Sequence, residues 1–455
     1  MVQRILGLGF ITVLGLVPLS ATAAEGGQFC PVGVARIDIT PGYPVRLAGY
    51  AARKGESEGV AQHLWAKALA IGGDEDRPAI LITVDNCGVP ANVRDEVVRS
   101  LREKDGVDPE RVAICSTHTH SAPWLKGYLP NLFGGPLPPE QEARIERYTR
   151  ELTDALVTVA DHALAERRPA KLSAGHGQAA FATNRRTKGG PADHDLPVLV
   201  VADPKGHLRA ILTSYACHCT TLTGEYNQVC GDWAGFAQEY LEQEHPGAVV
   251  LIALGCAGDA NPDPRPGFDF ARLHGQEIRE AVDRVVTNAP TPIAGRVVCR
   301  TKQIDLPLET LPTRAEWEVR AKETNYDGKF ARLNLGRLDR GESLPTRIPY
   351  LVQTWTFGGG LAMVFLPGEV VVDYSLRLKR EFDASRLWIN AYANDVPCYI
   401  PSERILTEGG YEGGGAMVFY DKPARLAPGI EDLIVRTVHE LVPKEFGAIQ
   451  RDEQK

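Results

Sequence analysis

The sequence alternates short apolar runs with longer amphipathic stretches, and this alternation restricts the fold more than any other feature. Short apolar runs indicate buried strands, and longer amphipathic stretches indicate helices packed on them. The predicted strands span 78–84, 111–116, 196–202, 210–216, 248–254, 361–366 and 387–393. The predicted helices span 91–104, 139–166, 233–244, 269–287, 370–384 and 429–441. This order predicts an α/β fold with large mixed sheets flanked by helices.

The chain of 455 residues is long enough for two domains, although one continuous α/β core of this size is also common. Residues 301–350 are richer in charge and carry an irregular amphipathic pattern, which indicates an insertion or a seam between two lobes. The formal net charge is -8, and no basic run is present. This composition excludes a general attraction to nucleic acid.

The first residues have the pattern of a secretory signal peptide. Arg4 supplies a positive start, and residues 5–19 are apolar but short for a membrane span. Ala21-Thr22-Ala23 matches the small-residue cleavage site, so we expect residues 1–23 to be removed and the mature chain to start near Ala24. The nearest cysteine, Cys30, is too far along to serve as a lipid attachment site. The alternative is an uncleaved anchor.

Polar, histidine-bearing segments follow three of the predicted strands directly. THTHSAP follows strand 111–116, HCTTLTGE follows strand 210–216, and GCAGDANPD follows strand 248–254. Open α/β sheets bind ligands beyond the carboxyl ends of their strands. We therefore expect the active site at the carboxyl ends of these strands.

His118 and His120 form a His-x-His pair. On an extended chain, residues two apart point to the same side, so both imidazoles would project together. Neutral imidazole nitrogen is a preferred zinc ligand. The alternative is a pair of ordinary histidines satisfied by hydrogen bonds.

His218 lies between two cysteines, Cys217 and Cys219, at the end of a predicted strand. It is either a buried, hydrogen-bonded histidine or a metal ligand. A rival interpretation makes both thiolates zinc ligands. Alternation along the chain argues against all three side chains facing one way, so if His218 points into the site, both cysteines point elsewhere.

The turn at 255–262 is rich in glycine and would direct backbone N–H groups toward a developing oxyanion. Its Cys256 is a conceivable nucleophile, but the sequence offers no positioned base to activate it, and a cysteine in a tight turn is commonly small and buried. The nine cysteines leave at least one thiol unpaired whatever disulfides form.

Taken together and in order, several segments resemble the neutral/alkaline non-lysosomal ceramidase family. The resemblance covers nearly the whole mature chain, and the ordered set is more specific than any one motif. The segments are RLAGYAARKG (46–55), STHTHSAP (116–123), ATNRR (182–186), ACHCTT with CGDWAGFAQEYLE (216–242), LPGEVVVDYSLRLKREF (366–382) and NDVPCYIPSERIL with YEGG (394–414).

The resemblance implies a set of zinc ligands that residue types alone do not suggest. Carried over position by position, the family's ligands fall on His118, His218, Glu369 and Tyr399. The spacing of Tyr399 to the pair at 411–412 resembles that of the family. Two imidazoles, a carboxylate and a phenolate would leave zinc able to hold a water of pKa about 7.

The resemblance also implies roles beside the metal. His120 and Arg185 become catalytic residues on the substrate side rather than ligands. Gly255 stands where the family has a serine, so a mechanism that uses that hydroxyl is closed to this chain. We assign Gly255 and Asp259 to substrate binding.

The resemblance implies one ceramidase-like zinc hydrolase domain over residues 24–455. Full ceramidases carry a further C-terminal immunoglobulin-like domain, and only a short tail follows the helix predicted to end near residue 441. We therefore expect that domain to be absent. Residues 301–350 do not match the family well.

Three functions are compatible with these residues. The first is zinc-dependent hydrolysis of the amide bond of ceramide or a related N-acyl compound by a secreted or periplasmic enzyme. The second keeps the zinc but makes the protein an esterase or amidase for a small non-lipid substrate. The third is a non-catalytic exported binding protein with the same fold. We expect a small-molecule or lipid substrate, transient contact with a membrane surface and no nucleic-acid partner.

Overall fold

The computed structural model describes residues 29–75, 77–293 and 296–448. The predicted signal peptide, residues 1–23, lies outside this part of the chain. No helix in the described residues is both long and apolar enough to cross a bilayer.

The first sheet is built from residues 30–293 and runs in the order β4-β3-β2-β1-β5-β7-β8-β9, with β11 beside β5. Its strands are β1 (Cys30–Asp38), β2 (Trp65–Ile71), β3 (Ala79–Val84), β4 (Val112–Ser116), β5 (Arg168–Gln178), β7 (Asp195–Ala202), β8 (Leu208–Tyr215), β9 (Val249–Leu254) and β11 (Thr291–Ile293). The pairs β3–β4 and β8–β9 are parallel and the others antiparallel, so the sheet is mixed as predicted.

A second sheet comes from the C-terminal half, in the order β12-β13-β14-β16. Its strands are β12 (Val297–Pro307), β13 (Arg347–Phe357), β14 (Leu361–Phe365) and β16 (Leu387–Asn390). Two short pairs lie outside the sheets: β6 (Ala182–Asn184) with β10 (Ala260–Pro262), and β15 (Glu369–Val370) with β17 (Tyr399–Ile400).

The two sheets share an apolar interior, and helices cover their other sides. Leu81 and Leu199 of the first sheet belong to the same buried cluster as Trp355 and Phe365 of the second. Helix α2 packs on β1 and β2, and α9 packs on β12 and β13. The helices are α1 (Ala91–Asp105), α2 (Pro139–Ala165), α3 (Asp232–Glu244), α4 (Phe268–Thr287), α5 (Arg314–Arg320), α6 (Tyr326–Asp339), α7 (Val372–Glu381), α8 (Glu403–Glu408) and α9 (Ile430–Leu441).

The region at 301–350 is a long β-hairpin with helices in its connection. Strands β12 and β13 pair antiparallel from Val297–Phe357 to Pro307–Arg347. Helices α5 and α6 lie between them in the chain and have a small apolar core of their own around Trp317 and Phe330.

The carboxyl ends of strands from both sheets meet at one place. Beyond β16, the chain crosses the first sheet: Ala391 bridges to Leu254 at the end of β9, and Ala393 bridges to Cys115 in β4. The loops after β4 and β8 are joined through the bridge between Thr119 and Cys219. These cross-links hold the histidine-bearing segments against each other, as the strand-end rule predicts.

Candidate metal centre

His118 lies two residues beyond β4 and is fully buried. Its backbone has a φ of 56°, in the left-handed region, so the extended geometry assumed for the His-x-His pair is wrong at this position. The ring is fixed by Nδ1, which lies 2.5 Å from the carbonyl oxygen of Cys87. A carbonyl oxygen can only accept, so Nδ1 carries the proton and Nε2 presents a lone pair.

His218 is fixed in the same way at the end of β8. Its Nδ1 donates to the carbonyl oxygen of Ala257 at 2.6 Å, and its own carbonyl accepts from the indole of Trp233 at 3.0 Å. The ring is completely buried. Its Nε2 therefore also presents a lone pair, and the two rings are 4.6 Å apart between centroids.

Glu369 and Tyr399 are brought to the two histidines by the short pair of β15 and β17, in which they are direct partners. Oε2 of Glu369 lies 3.3 Å from Nε2 of His118 and 3.1 Å from Nε2 of His218. The Tyr399 hydroxyl lies 3.5 Å from Nε2 of His218. The four residues that the family resemblance implies as ligands, although distant in the chain, thus converge on one small volume.

The donor set of this cluster fits a bound cation. The carbonyl-fixed tautomers point two nitrogen lone pairs at a carboxylate oxygen, an arrangement that is repulsive without positive charge between the atoms. Burial lowers the pKa of His118, but the carboxylate of Glu369 outweighs burial and raises it to about 10, so without a metal ion a proton on Nε2 takes the place of the cation between the two atoms. Imidazole nitrogen with a few oxygen donors suits zinc and other transition metals, whereas calcium and magnesium prefer oxygen alone.

Tyr420 supports Glu369 from behind, because its hydroxyl donates to Oε1, the carboxylate oxygen that faces away from the histidines. Burial raises the pKa of Glu369, yet the neighbouring imidazoles of His118 and His218 bring it well below its usual range. The carboxylate is therefore charged and held in one orientation.

His120 lies next to His118 and, with His118 and Cys87, forms a second group of side chains that could hold a metal ion. Its Nε2 is 3.1 Å from Nε2 of His118, and its ring packs edge-on against Tyr50 at 4.8 Å. Gly49 makes this possible, since a Cβ there would lie 2.3 Å from the ring. Burial, together with the positive charge of His118, lowers the pKa of His120 well below its usual range, so the ring is neutral. Its buried Nδ1 has no hydrogen-bond partner among the described residues.

Arg185 links the cluster to the surface. Its Nη2 donates to the Tyr399 hydroxyl at 3.0 Å, its Nε donates to Glu412 at 2.7 Å, and its Nη1 lies 3.3 Å from Nε2 of His218. Arg186 holds the other oxygen of Glu412 at 2.6 Å. Burial raises the pKa of Tyr399 well above its usual range, and the charge of Arg185 opposes that rise. A cation beside the phenol oxygen would act in the same direction as Arg185.

A cavity of about 590 Å³ borders Arg185 at the surface. Arg265, Tyr411 and Glu412 also line it, and Tyr411 is 47% exposed. The ring of Tyr411 lies 5.3 Å from that of Tyr399. This charged cavity, called the mouth below, lies directly outside the ligand cluster.

The structure does not bring Gly255 and Asp259 into the cluster. The N–H of Gly255 donates to the carbonyl of Tyr215. The Asp259 carboxylate accepts from the N–H of Val372 and from the side chain of Asn184. These polar groups form hydrogen bonds within the fold. The N–H of Gly255 is therefore not free to bind an oxyanion, as the sequence analysis expected of this turn. Their assignment to substrate binding stays a prediction without geometric support.

The cysteines flanking His218 are buried in the apolar core and belong to neither of the potential metal groups found in the described residues. The rival thiolate site at Cys217 and Cys219 is therefore absent from this part of the chain. The thiol that does lie near the cluster is Cys87, whose sulfur is 3.8 Å from Nδ1 of His118. Sequence reasoning missed it, although it follows β3 and the strand-end rule could have found it.

Comparison with known proteins identifies relatives of this chain. The sequence profile described as "Neutral/alkaline non-lysosomal ceramidase, N-terminal" matches residues 31–263, more than half of the chain. A neutral ceramidase of Mycobacterium tuberculosis (strain ATCC 25618 / H37Rv) is 23% identical over 82% of this chain and 71% of that protein. A neutral ceramidase of Pseudomonas aeruginosa is 24% identical over 63% of this chain, and the match spans 46% of that protein.

Two solved structures share the fold. The crystal structure of the neutral ceramidase from Pseudomonas aeruginosa has a TM-score of 0.71 at 21% identity and covers 93% of this chain and 77% of that one. A structure titled as a ceramidase complexed with C2 has a TM-score of 0.72 at 19% identity with the same coverage. At these identities, the similarity establishes the fold.

Proposed function

The chain belongs to the neutral/alkaline non-lysosomal ceramidase family, and from this membership we propose that it is a zinc-dependent hydrolase that cleaves the amide bond of ceramide or a related N-acyl compound. The observation that carries the proposal is the convergence of two imidazole lone pairs on a carboxylate oxygen at His118, His218 and Glu369. A positive charge between the donors, carried by a proton or by a metal ion, stabilises such an arrangement, and buried imidazole nitrogens beside a carboxylate are suited to a metal.

In this proposal, His118, His218, Glu369 and Tyr399 hold the metal. Zinc, when bound, supplies Lewis acidity, lowering the pKa of water to about 7 and polarising a carbonyl oxygen. The protein supplies the orientation: Cys87 and Ala257 fix the two imidazole tautomers through their carbonyl oxygens. Partners of this kind commonly contribute 10- to 100-fold to metal affinity.

His120 moves the proton in this mechanism. The ring is neutral, because burial and nearby positive charge lower its pKa, and Nε2 faces the cluster. A neutral imidazole in this position accepts a proton from the attacking water and returns it to the leaving nitrogen. Proton transfer by a positioned side chain contributes about 10²- to 10⁴-fold to the rate.

Arg185 keeps the Tyr399 oxygen in place and sets a fixed positive charge at the inner end of the mouth. The guanidinium stays charged because the neighbouring Tyr399 and Glu412 outweigh the effect of burial and hold its pKa above its usual range. Its side chain is 19% exposed, so it is reachable from the mouth. We assign it to stabilising the negative charge that develops on the carbonyl oxygen, a contribution worth about 3 kcal/mol for one such donor.

The charged lining of the mouth favours a second candidate, hydrolysis of an ester or amide of a small polar compound. Arg186, Arg265 and Glu408 all border this cavity. A ceramide presents hydroxyl groups and an amide but no charge, so a charged mouth has no obvious counterpart in it.

One experiment separates these functions. The purified protein is analysed for metal and then assayed on an N-acyl sphingosine, its matched ester and a short N-acyl amino acid, before and after chelation. We expect zinc near one equivalent, turnover of the N-acyl sphingosine, and loss and recovery of activity on chelation and zinc addition. Turnover confined to the polar substrates would favour the second candidate. Full zinc with no turnover of any substrate would indicate a binding protein.

We also propose that the mature protein is exported, in line with the predicted signal peptide. The test is the N-terminal sequence of the protein recovered outside the cytoplasm of the producing cell. A start near Ala24 supports the proposal, and retention of Met1 in a cytoplasmic protein contradicts it.

A further inference from the structure

The mouth has more arginine than carboxylate. Three arginines line it, Arg185, Arg186 and Arg265, and they face two carboxylates, those of Glu408 and Glu412. No other charged side chain of the described residues borders this cavity. Its lining therefore carries a net positive charge, and a cavity lined by one sign of charge concentrates ions of the opposite sign.

The two carboxylates of the mouth are already engaged by arginines. Glu412 accepts from Arg185 at 2.7 Å and from Arg186 at 2.6 Å. Glu408 accepts from Arg186 at 3.1 Å and from Arg404, which does not line the mouth, at 2.9 Å. Each negative charge of the mouth therefore already has two guanidinium partners.

Arg265 takes no part in these pairs. The ion pairs of the mouth in the described residues are made by the other two arginines. The hydrogen bond that Arg265 makes there is a long one, 3.4 Å from Nη1 to the carbonyl oxygen of Thr220. A guanidinium has five N–H donors in a planar fork that fits a carboxylate through two hydrogen bonds. Since the residue is also exposed, most of these donors are available to a ligand in the mouth.

Two backbone hydrogen bonds anchor the turn that carries Arg265. The N–H of Asp263 donates to the carbonyl oxygen of Phe181 at 2.9 Å, and the N–H of Gly267 donates to that of Thr221 at 3.1 Å. Prolines on both sides of the arginine fix their own φ angles. A group on an anchored turn loses less freedom on binding a ligand than a group on a mobile loop.

Arg265 and Arg185 extend from the same short strand pair. Arg185 follows β6, and Arg265 lies three residues beyond β10, the antiparallel partner of β6. Both line the mouth, and Arg185 also reaches inward to the Tyr399 hydroxyl. The two guanidinium groups therefore join one cavity from two sides, one of them in contact with the metal cluster and the other at the surface.

We infer that the substrate carries a carboxylate a few bonds from its amide nitrogen, and that Arg265 binds this carboxylate. N-acyl amino acids are the simplest such class. The charge lies on the amine side because the acyl part of an N-acyl compound is a hydrocarbon. The inference rests on the proposed hydrolase function and deepens it, since it gives the charge of the substrate. The carboxylate supplies the partner that the protein leaves out at Arg265.

Arg265→Gln removes the charge and keeps much of the side-chain length. The variant should fold as the unaltered protein does, because Arg265 is exposed and makes only a long hydrogen bond within the described residues. Arg272→Gln is the matched control, since it removes the same charge from an exposed arginine that pairs with Asp269 on helix α4 and does not line the mouth.

The first measurement is kcat/KM for N-hexanoylglycine and N-hexanoyl-γ-aminobutyrate, each compared with its uncharged carboxamide. In the unaltered enzyme and in Arg272→Gln, we expect at least one acid to be preferred over its carboxamide by about tenfold, through a lower KM, as a charged hydrogen-bonded pair would give. In Arg265→Gln, the preference should disappear, and the carboxamides should react as before. Equal preferences in the two variants, or none in the unaltered enzyme, would overturn the inference while leaving the hydrolase function intact.

The second measurement does not require turnover. The ligands are the ketones in which a methylene group replaces the amide nitrogen of the two N-hexanoyl acids, together with the carboxamides of these ketones. Because no amide lies at the carbonyl, calorimetric titration of the full-length, zinc-loaded protein reports binding alone. We expect at least one ketone acid to bind about tenfold more tightly than its carboxamide, in Arg272→Gln but not in Arg265→Gln.

The two measurements distinguish failure of the inference from failure of the proposed function. Preferential binding of a ketone acid that depends on Arg265, without turnover of any N-acyl compound, would refute the hydrolase function and support the carboxylate site. Equal binding of each ketone acid and its carboxamide by the unaltered protein would refute the carboxylate site, whatever the enzyme hydrolyses.

Discussion

Two of the buried groups of polar side chains differ in how their hydrogen-bonding atoms are paired. Near strands β2 and β9, the ammonium of Lys67 donates to Glu242 at 2.6 Å and to the carbonyl of Val250 at 2.7 Å. Asp85 accepts from the side chain of Gln238 at 2.9 Å and from the N–H of Trp65. Both charged groups in this network have partners: the ammonium donates to two oxygens, and the carboxylate accepts from two N–H groups.

The metal cluster has the opposite composition. Once the carbonyl contacts have fixed the tautomers, the nitrogens of His118 and His218 and the oxygen of Glu369 meet as acceptors, and one nearby donor, Nη1 of Arg185, lies 3.3 Å from Nε2 of His218. Burying such a set is unfavourable unless a cation joins it. The difference between the two groups therefore separates a structural ion pair from a site built to hold something that the polypeptide does not supply.

The largest expected effect is that of His218→Ala, which removes a ligand from the unsatisfied cluster. We expect loss of the metal and a fall in kcat/KM of at least about 10³-fold, because the other groups cannot act alone. Metal analysis and turnover measure this, with the exposed His63→Ala as control. A fully metallated, active His218→Ala protein would show that this histidine is not a ligand.

Lys67→Met tests the satisfied network. Removing one partner of a buried pair leaves the other charge without compensation, so we expect the free energy of unfolding to fall by about 3 kcal/mol. Metal content and turnover of a short substrate should stay unchanged. Urea denaturation provides the measurement, and Lys171→Met, at an exposed lysine of the same sheet, provides the control. Loss of metal from folded Lys67→Met protein would show that the Lys67 network also takes part in metal binding, which contradicts its assignment as a structural ion pair.

Tyr420→Phe probes the layer behind the cluster. It removes the hydroxyl that donates to Glu369, and we expect zinc to bind about tenfold more weakly. The matched control is Tyr350→Phe, because Tyr350 is equally buried and its hydroxyl has no hydrogen-bond partner among the described residues. Competition with a chromophoric chelator measures the affinity. Equal zinc affinities in the two variants would mean that Tyr420 does not support the metal site.

Cys256→Ser should have the smallest effect. The thiol lies at the end of β9 but is fully buried, and burial raises its pKa, so a thiolate nucleophile is not available. We expect turnover within about twofold of the unaltered enzyme. Abolished turnover in Cys256→Ser protein that keeps its zinc would restore the thiol as a candidate nucleophile.

The strands and helices with strong periodicity are confirmed to within a few residues, because their burial follows directly from their pattern. Strands β12 and β13 were not predicted. Strand β12 is an edge strand of the second sheet, and most of its side chains are exposed or half-buried, which makes its sequence look irregular and charged. Helix α7 begins at Val372, two residues later than predicted, because Glu369 and Val370 pair with β17 instead. Strand β16 ends at Asn390 because the chain leaves the second sheet to cross the first.

The site could be predicted only in part from residue types. The strand-end rule identified His118 and His218, since a polar segment that directly follows an apolar run is visible in the sequence. Glu369 and Tyr399 came from the family resemblance, because two-residue strands such as β15 and β17 are too short to leave a pattern. Tyr420 has no such signal: its role depends on a side-chain contact across 51 residues of chain.

Anomalous X-ray diffraction at the zinc edge, on crystals of the purified protein, tests the central claim most directly. The account predicts one peak between His118, His218 and Glu369, about 2.0–2.1 Å from each Nε2. Tyr399 should lie within reach of the same peak. No peak there, or a peak held by Cys87 with Glu369 and Tyr399 turned away, would contradict it.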